Sequence, residues 1–387
     1  MKKRKIKKRL ARTLFALVIF LITLGLFALP IRAEGEGEMP DEYSDFRDSI
    51  DGEIIDKLPE GVTTDNKEEI NDAAAELINP TNILNMLIDA LGVGMQSAAP
   101  TLALLLGIVV LSAILNTFAA ETGGLSRVTE GCIRLCTFTA ISGIAVKCVE
   151  SLSLYFERLF SAVAGFVPLS AALYAMGGNL TAAASSSATL GITLALCQFF
   201  CTKTVIPIFC ISLCTSMLSV FDGRGGAAMG KVSGTMRKWY TTALAFVMTV
   251  MTFSIGGSTL LAAKADNMAM RGAKFAASSF IPVSGGTVSS TLGTLAASVE
   301  LLRGSVGVIG IVIIIMMLLP TVIELALLRG VFAISGFCAS TLGSTGESSL
   351  LSELDSLYGF LEGIAVLSAV IFIIAFGIFA TTATPFS

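Results

Sequence analysis

Few residues in this chain have the types and spacing that catalysis or metal binding requires. Its 387 residues contain no histidine, which removes the commonest general base, the usual proton relay of serine and cysteine nucleophiles, and most transition-metal sites. Zinc ribbons and redox motifs space their cysteines by three residues, whereas six of the eight cysteines here lie four apart in apolar runs, at Cys132 and Cys136, Cys197 and Cys201, and Cys210 and Cys214. Such cysteines behave as small apolar residues. We therefore predict no enzyme activity and no catalytic, cofactor-binding or metal-binding residues.

Two charged residues inside apolar runs are the remaining chemical candidates. Glu324 follows Pro320 by one helical turn, and a proline within a helix leaves a backbone carbonyl without its donor. A carboxylate there could bind a proton or a cation inside a helical bundle. We favour the simpler interpretation, in which Glu324 lies near the end of a span and pairs with Arg329 or the interface. For Lys203 we likewise favour a turn near the interface over a functional intramembrane charge.

The composition predicts the kind of fold that must position these residues. The chain is 54% hydrophobic and only 14% charged, with a mean hydropathy of +0.81, whereas soluble domains carry about 25% charged residues. An all-α, polytopic integral membrane protein is predicted, with about six to eight transmembrane helices after a signal sequence, at about 20 residues per crossing.

The first 80 residues differ in charge from everything that follows. Eight basic residues and no acid occupy the first twelve positions, and the apolar run Leu14 to Leu29 comes next, so residues 1–33 are interpreted as a signal peptide or a signal anchor and not as a nucleic-acid-binding segment. Residues 34–80 form an acidic extracytoplasmic segment that we expect to be largely disordered. It would serve as a solvated spacer or as a docking arm for a basic partner.

Residues 81–387 are predicted to be the membrane domain. A first span covers Ala99 to Ala119, and a second, 131–149, continues into an amphipathic helix that should stop near Pro168. The run 189–221 is long enough for two tight spans or for one span with a re-entrant segment. Further spans are expected at 239–262, 306–328 and 357–380, and the basic loop Asp222 to Lys238 is cytoplasmic by the positive-inside rule.

An internal similarity indicates a duplicated membrane module. Phe166-Val-Pro168-Leu-Ser170 matches Phe280-Ile-Pro282-Val-Ser284, and each match is followed by small residues and then by an apolar run containing a proline. The repeats would span residues 131–221 and 241–335. The alternative is that the two segments are alike by chance, because membrane sequences draw on few residue types. Transporters, however, are often built from two repeated halves.

A basic amphipathic stretch precedes the second match. Lys264, Asn267, Arg271, Lys274 and Ser278 recur at steps of three and four, which predicts a helix that lies in the headgroup plane. Pro282 should end this helix, and Gly285 and Gly286 then begin a run of small residues suited to close helix packing.

This stretch also carries a resemblance to a known family. The residues Arg271, Ala273, Lys274, Phe275, Phe280, Ile281, Pro282, Gly285 and Gly286, followed by Ser298, Leu301, Leu302, Val306 and Gly307, are similar to those of the stage III sporulation protein AE family. The resemblance extends over the whole chain and brings no catalytic motif. The structural and functional candidates are Pro168, Pro282, Ser284, Gly285, Gly286, Arg271, Lys274, Pro320 and Glu324.

The resemblance implies a membrane subunit of a channel-like, secretion-like complex. That complex joins the mother cell and the forespore after engulfment and supports forespore development. The implied location is the mother-cell membrane around the forespore, and the implied partners are ring-forming membrane proteins, a secretion-type ATPase and membrane lipid. The alternative function is a stand-alone secondary transporter with inverted repeats.

Overall fold

The computed structural model describes residues 39–64, 67–77, 80–122, 126–221, 226–280 and 285–382. Every regular element in these ranges is helical: α1 (Glu42–Asp48), α2 (Gly52–Ile55), a 3-10 turn (Glu60–Val62), α3 (Lys67–Leu77), α4 (Pro80–Thr122), α5 (Ser126–Met176), α6 (Leu180–Gln198), a π-helical turn (Phe199–Thr204), α7 (Val205–Phe221), α8 (Gly226–Phe280), α9 (Gly285–Thr341) and α10 (Thr345–Thr381). The predicted signal sequence at 1–33 lies outside the described residues.

Six helical segments are long and apolar enough to cross a membrane. They are Asn85–Leu115, Leu135–Met176, Leu180–Leu218, Val232–Ala269, Ser298–Thr341 and Gly346–Thr381. The prediction of an all-α polytopic membrane protein is confirmed, and six is at the lower end of the expected number of spans. Each segment has 31 to 44 residues, which exceeds the roughly 20 needed for one crossing.

The innermost element is the hairpin of α9 and α10. The two helices turn at Gly343, whose φ of 83° suits glycine. They approach closely where glycines of α9 face α10: a Cβ on Gly307 would lie 2.6 Å from the Cβ of Ala380, and Gly310 faces the ring of Phe376. In the most apolar part of α9, 72% of the residues are buried inside the protein. This helix is therefore the core of the bundle.

The outer helices are attached to this hairpin by specific contacts. On α5, the Phe166 ring stacks on Phe376 with centroids 3.7 Å apart, and the Tyr155 hydroxyl donates to the Ala365 carbonyl at 2.9 Å. On α8, Asp266 accepts hydrogen bonds from the first amides of α6, at Thr181 and Ala182. Helix α8 is thereby joined to the N-terminus of α6, where a carboxylate is favoured.

The prediction that the acidic segment is largely disordered is wrong for residues 39–64 and 67–77. Tyr43 and Phe46 are buried, and the Phe46 ring packs edge-on against Phe166 with centroids 5.9 Å apart. Arg158 of α5 pairs with Asp51 at 2.9 Å and with Glu53 at 3.0 Å. The apolar residues between the acids share one face, and that face completes the protein core beside α5.

Two predicted breaks are absent. Helix α5 continues for eight residues beyond Pro168 to Met176, because the stacking of Phe166 on α10 stabilises this part of the helix and a proline removes only one donor. The basic stretch from Lys264 is not a separate helix but the end of α8. The expected duplication rests on these matched segments and stays a prediction.

The run 189–221 forms a single candidate span that contains a π-helical turn. Pro207 follows this turn by three residues and lacks the amide that a regular helix would use. The hydroxyl of Tyr240 on α8 donates to the carbonyl of Phe200 at 2.8 Å, which satisfies a carbonyl within the turn. Lys203 is exposed within this turn. The chain is helical on both sides of Lys203, so it does not reverse direction there, and the position of Lys203 relative to the membrane interface stays a prediction.

Candidate functional site

The most distinctive chemical feature of the bundle is an ion-paired arginine between its two innermost helices. Arg329 of α9 donates from Nε to Asp355 Oδ1 at 3.0 Å and from Nη1 to Glu362 Oε2. The three side chains are 9% to 20% exposed. Charged groups are costly in a membrane protein interior unless they are paired, and here a guanidinium uses separate nitrogens for two carboxylates.

Gly359 makes this arrangement possible. Asp355, Gly359 and Glu362 lie at spacings of four and three, on one face of α10. A Cβ on Gly359 would lie 3.0 Å from Cζ of Arg329 and 3.1 Å from its Nε. The guanidinium thus lies on the bare backbone of α10, with one carboxylate on either side.

Two further polar links join outer helices to the same hairpin. Arg237 of α8 pairs with Glu353 at 3.0 Å, and its side chain is 9% exposed. Near the hairpin turn, Ser112 of α4 donates to Glu347 at 2.8 Å. The N-terminal half of α10 therefore presents acids to three helices: Glu347 to α4, Glu353 to α8, and both Asp355 and Glu362 to α9.

Glu324 does not pair with Arg329, so this part of the favoured interpretation is wrong, whereas a position of Glu324 near the membrane interface stays a prediction. Its Oε2 accepts a hydrogen bond from Ser151 of α5 at 2.8 Å, whereas Arg329 is engaged by Asp355 and Glu362. The side chain of Glu324 is half-buried. The thiol of Cys148 and the hydroxyl of Tyr358 are its electrostatic neighbours. Helices α5, α9 and α10 thus meet at a polar position.

A second buried cation lies at the opposite end of the hairpin. Arg303 of α9 is fully buried, and its Nη2 donates to the carbonyls of Phe379 at 2.9 Å and Thr382 at 2.8 Å. Its guanidinium carbon lies 4.3 Å from the centroid of the Tyr174 ring. Cations suit the carbonyl end of a helix, so Arg303 fastens the end of α10 to α9 and α5.

Most of the residues predicted from the sequence lie away from this cluster. Pro168 is an exposed residue of α5, seventeen positions beyond Ser151. Arg271 and Lys274 are in the last turns of α8, Gly285 and Gly286 begin α9, and Pro282 and Ser284 lie outside the described residues. Only Pro320 and Glu324 are near the cluster, and Pro320 leaves the Met316 carbonyl without its usual helical donor.

The sequence did not lead us to predict Asp355, Gly359 and Glu362, together with Arg237 and Glu353, as site residues. Their helical spacing was visible, because a glycine flanked by acids four residues before and three residues after lies on one helical face. In the part of the chain that the structure describes, no group of three or more histidine, cysteine, aspartate or glutamate side chains is placed to hold a metal ion. The cluster is therefore an ion-pair network and differs from a polydentate metal centre.

The comparisons with known proteins identify the family. No solved structure matches the chain. The stage III sporulation protein AE of Bacillus subtilis is 22% identical over 218 residues, which is 56% of this chain and 54% of the relative. The match thus spans about half the length of this curated relative. A family model for stage III sporulation protein AE matches residues 65–383, which include all six candidate spans. The chain belongs to the stage III sporulation protein AE family.

Proposed function

We propose that this chain is the polytopic membrane subunit of a channel-like, secretion-like complex that joins the mother cell and the forespore after engulfment. The observation that carries this proposal is the family match over residues 65–383, which covers all six candidate spans. The proposed location is the mother-cell membrane that surrounds the forespore. There the protein would support forespore development as a structural and transport component, without catalytic chemistry of its own.

The charged cluster supports a role beyond anchoring. Ionisable groups inside membrane helices are costly, and they commonly occur where a pathway or a moving element needs them. Arg329, Asp355 and Glu362 join the two innermost helices, and Arg237 with Glu353 connects this pair to α8. A change in these pairings would alter the packing of the hairpin, so the cluster is suited to couple the bundle to its partners.

The acidic N-terminal segment and the basic segment 222–238 indicate where partners would bind. In the proposed orientation, α1 to α3 face the space between the two membranes and contact ring-forming subunits. The basic segment 222–238 faces the mother-cell cytoplasm and contacts a secretion-type ATPase; it was predicted to be a loop, but its residues 226–238 form the start of α8. The fixed docking of α1 on α5 through Phe46 and Phe166 supports this role, because it presents the acidic surface on a rigid base.

Deletion of the gene in its sporulating host tests the proposal. We expect normal vegetative growth, normal engulfment and then arrest of the forespore, with rescue by the unmodified gene. Arg329→Gln should fail to rescue. Lys147→Gln, which changes an exposed basic residue of α5, should rescue fully. Normal spores in the deletion strain would contradict the proposal.

The second candidate is a stand-alone secondary transporter. The polar position around Glu324, at the meeting point of three helices, is the observation that favours it. A transporter predicts solute uptake by vesicles that contain only this protein, with loss of uptake in Glu324→Gln. It also predicts a growth defect on a particular solute in the deletion strain. The absence of uptake by the unmodified protein would remove this candidate.

A further inference from the structure

We propose that the outer face of α4 and α5 lines a water-filled passage that favours cations over anions. The lining residues are Asp89 and Gln96 of α4 and Glu150 and Glu157 of α5, and all four are exposed. This inference rests on the proposed channel-like assembly, because one copy of the chain leaves the face open and neighbouring subunits must close the passage.

Helix α4 contacts the bundle along one narrow strip, and only 22% of its most apolar part is buried. The strip includes Gly94 and Ala98, which are buried one turn apart, and a Cβ on Gly94 would lie 2.8 Å from a leucine side chain of α9. At about 100° per residue, Asp89 and Gln96 lie on the opposite side of the helix. Both belong to the candidate span Asn85–Leu115, so the outermost side of this apolar helix is polar.

Helix α5 has the same arrangement. Leu152 and Leu159 are buried in the core, whereas Glu150 and Glu157 are exposed on the opposite side. Both glutamates belong to the candidate span Leu135–Met176. Among the described residues, no hydrogen bond or ion pair engages the side chains of the four lining residues. Unpaired charged groups are costly in lipid, and on membrane helices they face the bundle interior or a water-filled cavity.

An apolar surface of α8 is exposed at the same height of the bundle. Tyr155, two residues before Glu157, bonds to α10, and Tyr240, six residues before Phe246, packs its ring on α10. The two partners on α10 are Ala365 and Phe360. Because α5 and α8 both run parallel to α10, Glu157 and Phe246 lie at nearly the same height. Phe246 is 69% exposed and Phe253 is 81% exposed, as expected for contact with lipid. The bundle therefore has an apolar outer side at α8 and a polar outer side at α4 and α5.

The docked acidic segment is independent evidence that this side of α5 borders water. Arg158, the neighbour of Glu157, pairs with Asp51 at 2.9 Å and with Glu53 at 3.0 Å. The same segment carries further exposed acids, such as Asp48. A segment of this composition requires water, and it lies directly on α5. The polar face thus continues an aqueous surface along the bundle.

The charges of the face select cations. Asp89, Glu150 and Glu157 are acidic, and Gln96 is neutral. The exposed base Lys147 lies about 60° from Glu150 around the axis of α5, and so at the edge of the face. Acidic linings select cations in channels. The passage should therefore admit cations and neutral polar solutes in preference to anions.

Cysteine accessibility in membranes of the sporulating host tests the inference. The substitutions Gln96→Cys, Glu157→Cys and Phe246→Cys are introduced one at a time into the full chain. Each modified peptide is identified by mass spectrometry, so the eight native cysteines can remain. The probe is a membrane-impermeant methanethiosulfonate reagent, which reacts with the thiolate that a hydrated cysteine forms. Gln96→Cys and Glu157→Cys should react at least about tenfold faster than Phe246→Cys, the control on the apolar side.

Two reagents of opposite charge test the preference for cations. At Gln96→Cys, a trimethylammonium reagent should react about 3- to 10-fold faster than a sulfonate reagent, after correction for their rates with a free thiol in solution. Adding Glu150→Gln removes one lining charge and should lower this ratio. The matched control is Glu347→Gln at the hairpin turn, where the carboxylate accepts from Ser112, and it should leave the ratio unchanged.

Several results would overturn the inference. Reaction of Gln96→Cys and Glu157→Cys as slow as that of Phe246→Cys would place the face in lipid or against a protein. Equally fast reaction of all three would place this height of the bundle outside the membrane. A reagent ratio of one or less, or a ratio that Glu150→Gln leaves unchanged, would reject the acidic lining. Gln96→Cys is on a different helix and removes no charge, so it keeps the test decisive if Glu157→Cys does not insert.

The passage and the sporulation role can fail separately. Fast reaction at Gln96→Cys together with normal spores in the deletion strain would keep the passage and reject the sporulation role. Arrested forespores in the deletion strain together with slow reaction would keep the sporulation role and reject the passage.

Discussion

Arg329 is the residue whose removal should disturb the bundle most. Arg329→Gln leaves Asp355 and Glu362 facing each other in a mostly buried position, and an uncompensated buried charge pair typically costs about 3–5 kcal/mol. Because these side chains keep up to 20% exposure, we expect a loss of about 2–3 kcal/mol in the free energy of unfolding. Denaturant unfolding of the purified protein in detergent measures this loss.

The control for Arg329 is Lys238→Gln, which removes the same charge from an exposed position on α8. It should change the free energy of unfolding by less than about 0.5 kcal/mol. Equal stability of the two variants would mean that the pairing with Asp355 and Glu362 contributes nothing.

Gly359 tests whether the guanidinium needs the bare backbone of α10. In Gly359→Ala the new methyl would lie 3.0 Å from Cζ of Arg329, so the ion pairs must shift, at a cost of about 1–3 kcal/mol. Gly363→Ala on the same helix meets no atom within 4 Å and should gain up to about 1 kcal/mol from helix propensity. Opposite signs for the two variants in the same unfolding assay are expected, and a stabilised Gly359→Ala would contradict the close approach.

At the scale of elements, α1 is positioned by a glycine of α5. A Cβ on Gly165 would lie 2.7 Å from Cβ of Ser49 and 3.2 Å from Cα of Phe46. Gly165→Ala should therefore separate α1 and α2 from α5. Limited trypsin digestion measures the result, because Arg47 and Lys57 become cleavable when this segment leaves the bundle. The control is Gly143→Ala on the same helix, where a Cβ would meet no atom within 4 Å, and it should leave trypsin cleavage unchanged. Unchanged cleavage in Gly165→Ala would contradict the docking of α1 at this glycine.

The sequence was a good guide to which stretches are membrane helices and a poor guide to how long they are. Apolar runs identify Ala99–Ala119 and 306–328 directly, but α5 and α8 continue through amphipathic turns whose burial depends on neighbouring helices. The acidic segment was misjudged because Tyr43, Phe46 and Ile54 are dispersed among acids. Their shared face becomes evident only when α5 supplies the opposing surface.

The charged cluster shows the same limit. Glu324 and Arg329 stood out because they interrupt an apolar run, and pairing between them was the nearest solution along one helix. The partners are instead on α5 and α10, and the register of α9 against α10 decides which groups meet. That register depends on close contacts such as those at Gly307 and Gly310, which single-chain periodicity does not specify.

At the scale of the whole molecule, the single tryptophan reports on the membrane. Trp239 of α8 is 74% exposed and lies beside Lys238, an arrangement typical of the lipid interface. In nanodiscs, lipids brominated on their acyl chains should quench its fluorescence strongly, and aqueous iodide should quench it weakly. The opposite order would place this face of α8 in water or against another protein. Trp239→Phe provides the background signal.

The burial of α9 also affects how the protein is made. Helices α9 and α10 follow the other described helices along the chain, yet they supply the surface on which α4, α5 and α8 pack. During synthesis the earlier helices must therefore remain in the membrane without their principal partner, with the Tyr155 hydroxyl and Ser151 lacking the groups that they bind in the finished protein. At that stage the earlier helices expose the most unpaired polar groups and unpacked surface, so membrane insertion factors are needed most. A ribosome that stops before residue 285 leaves a set of helices without a common core.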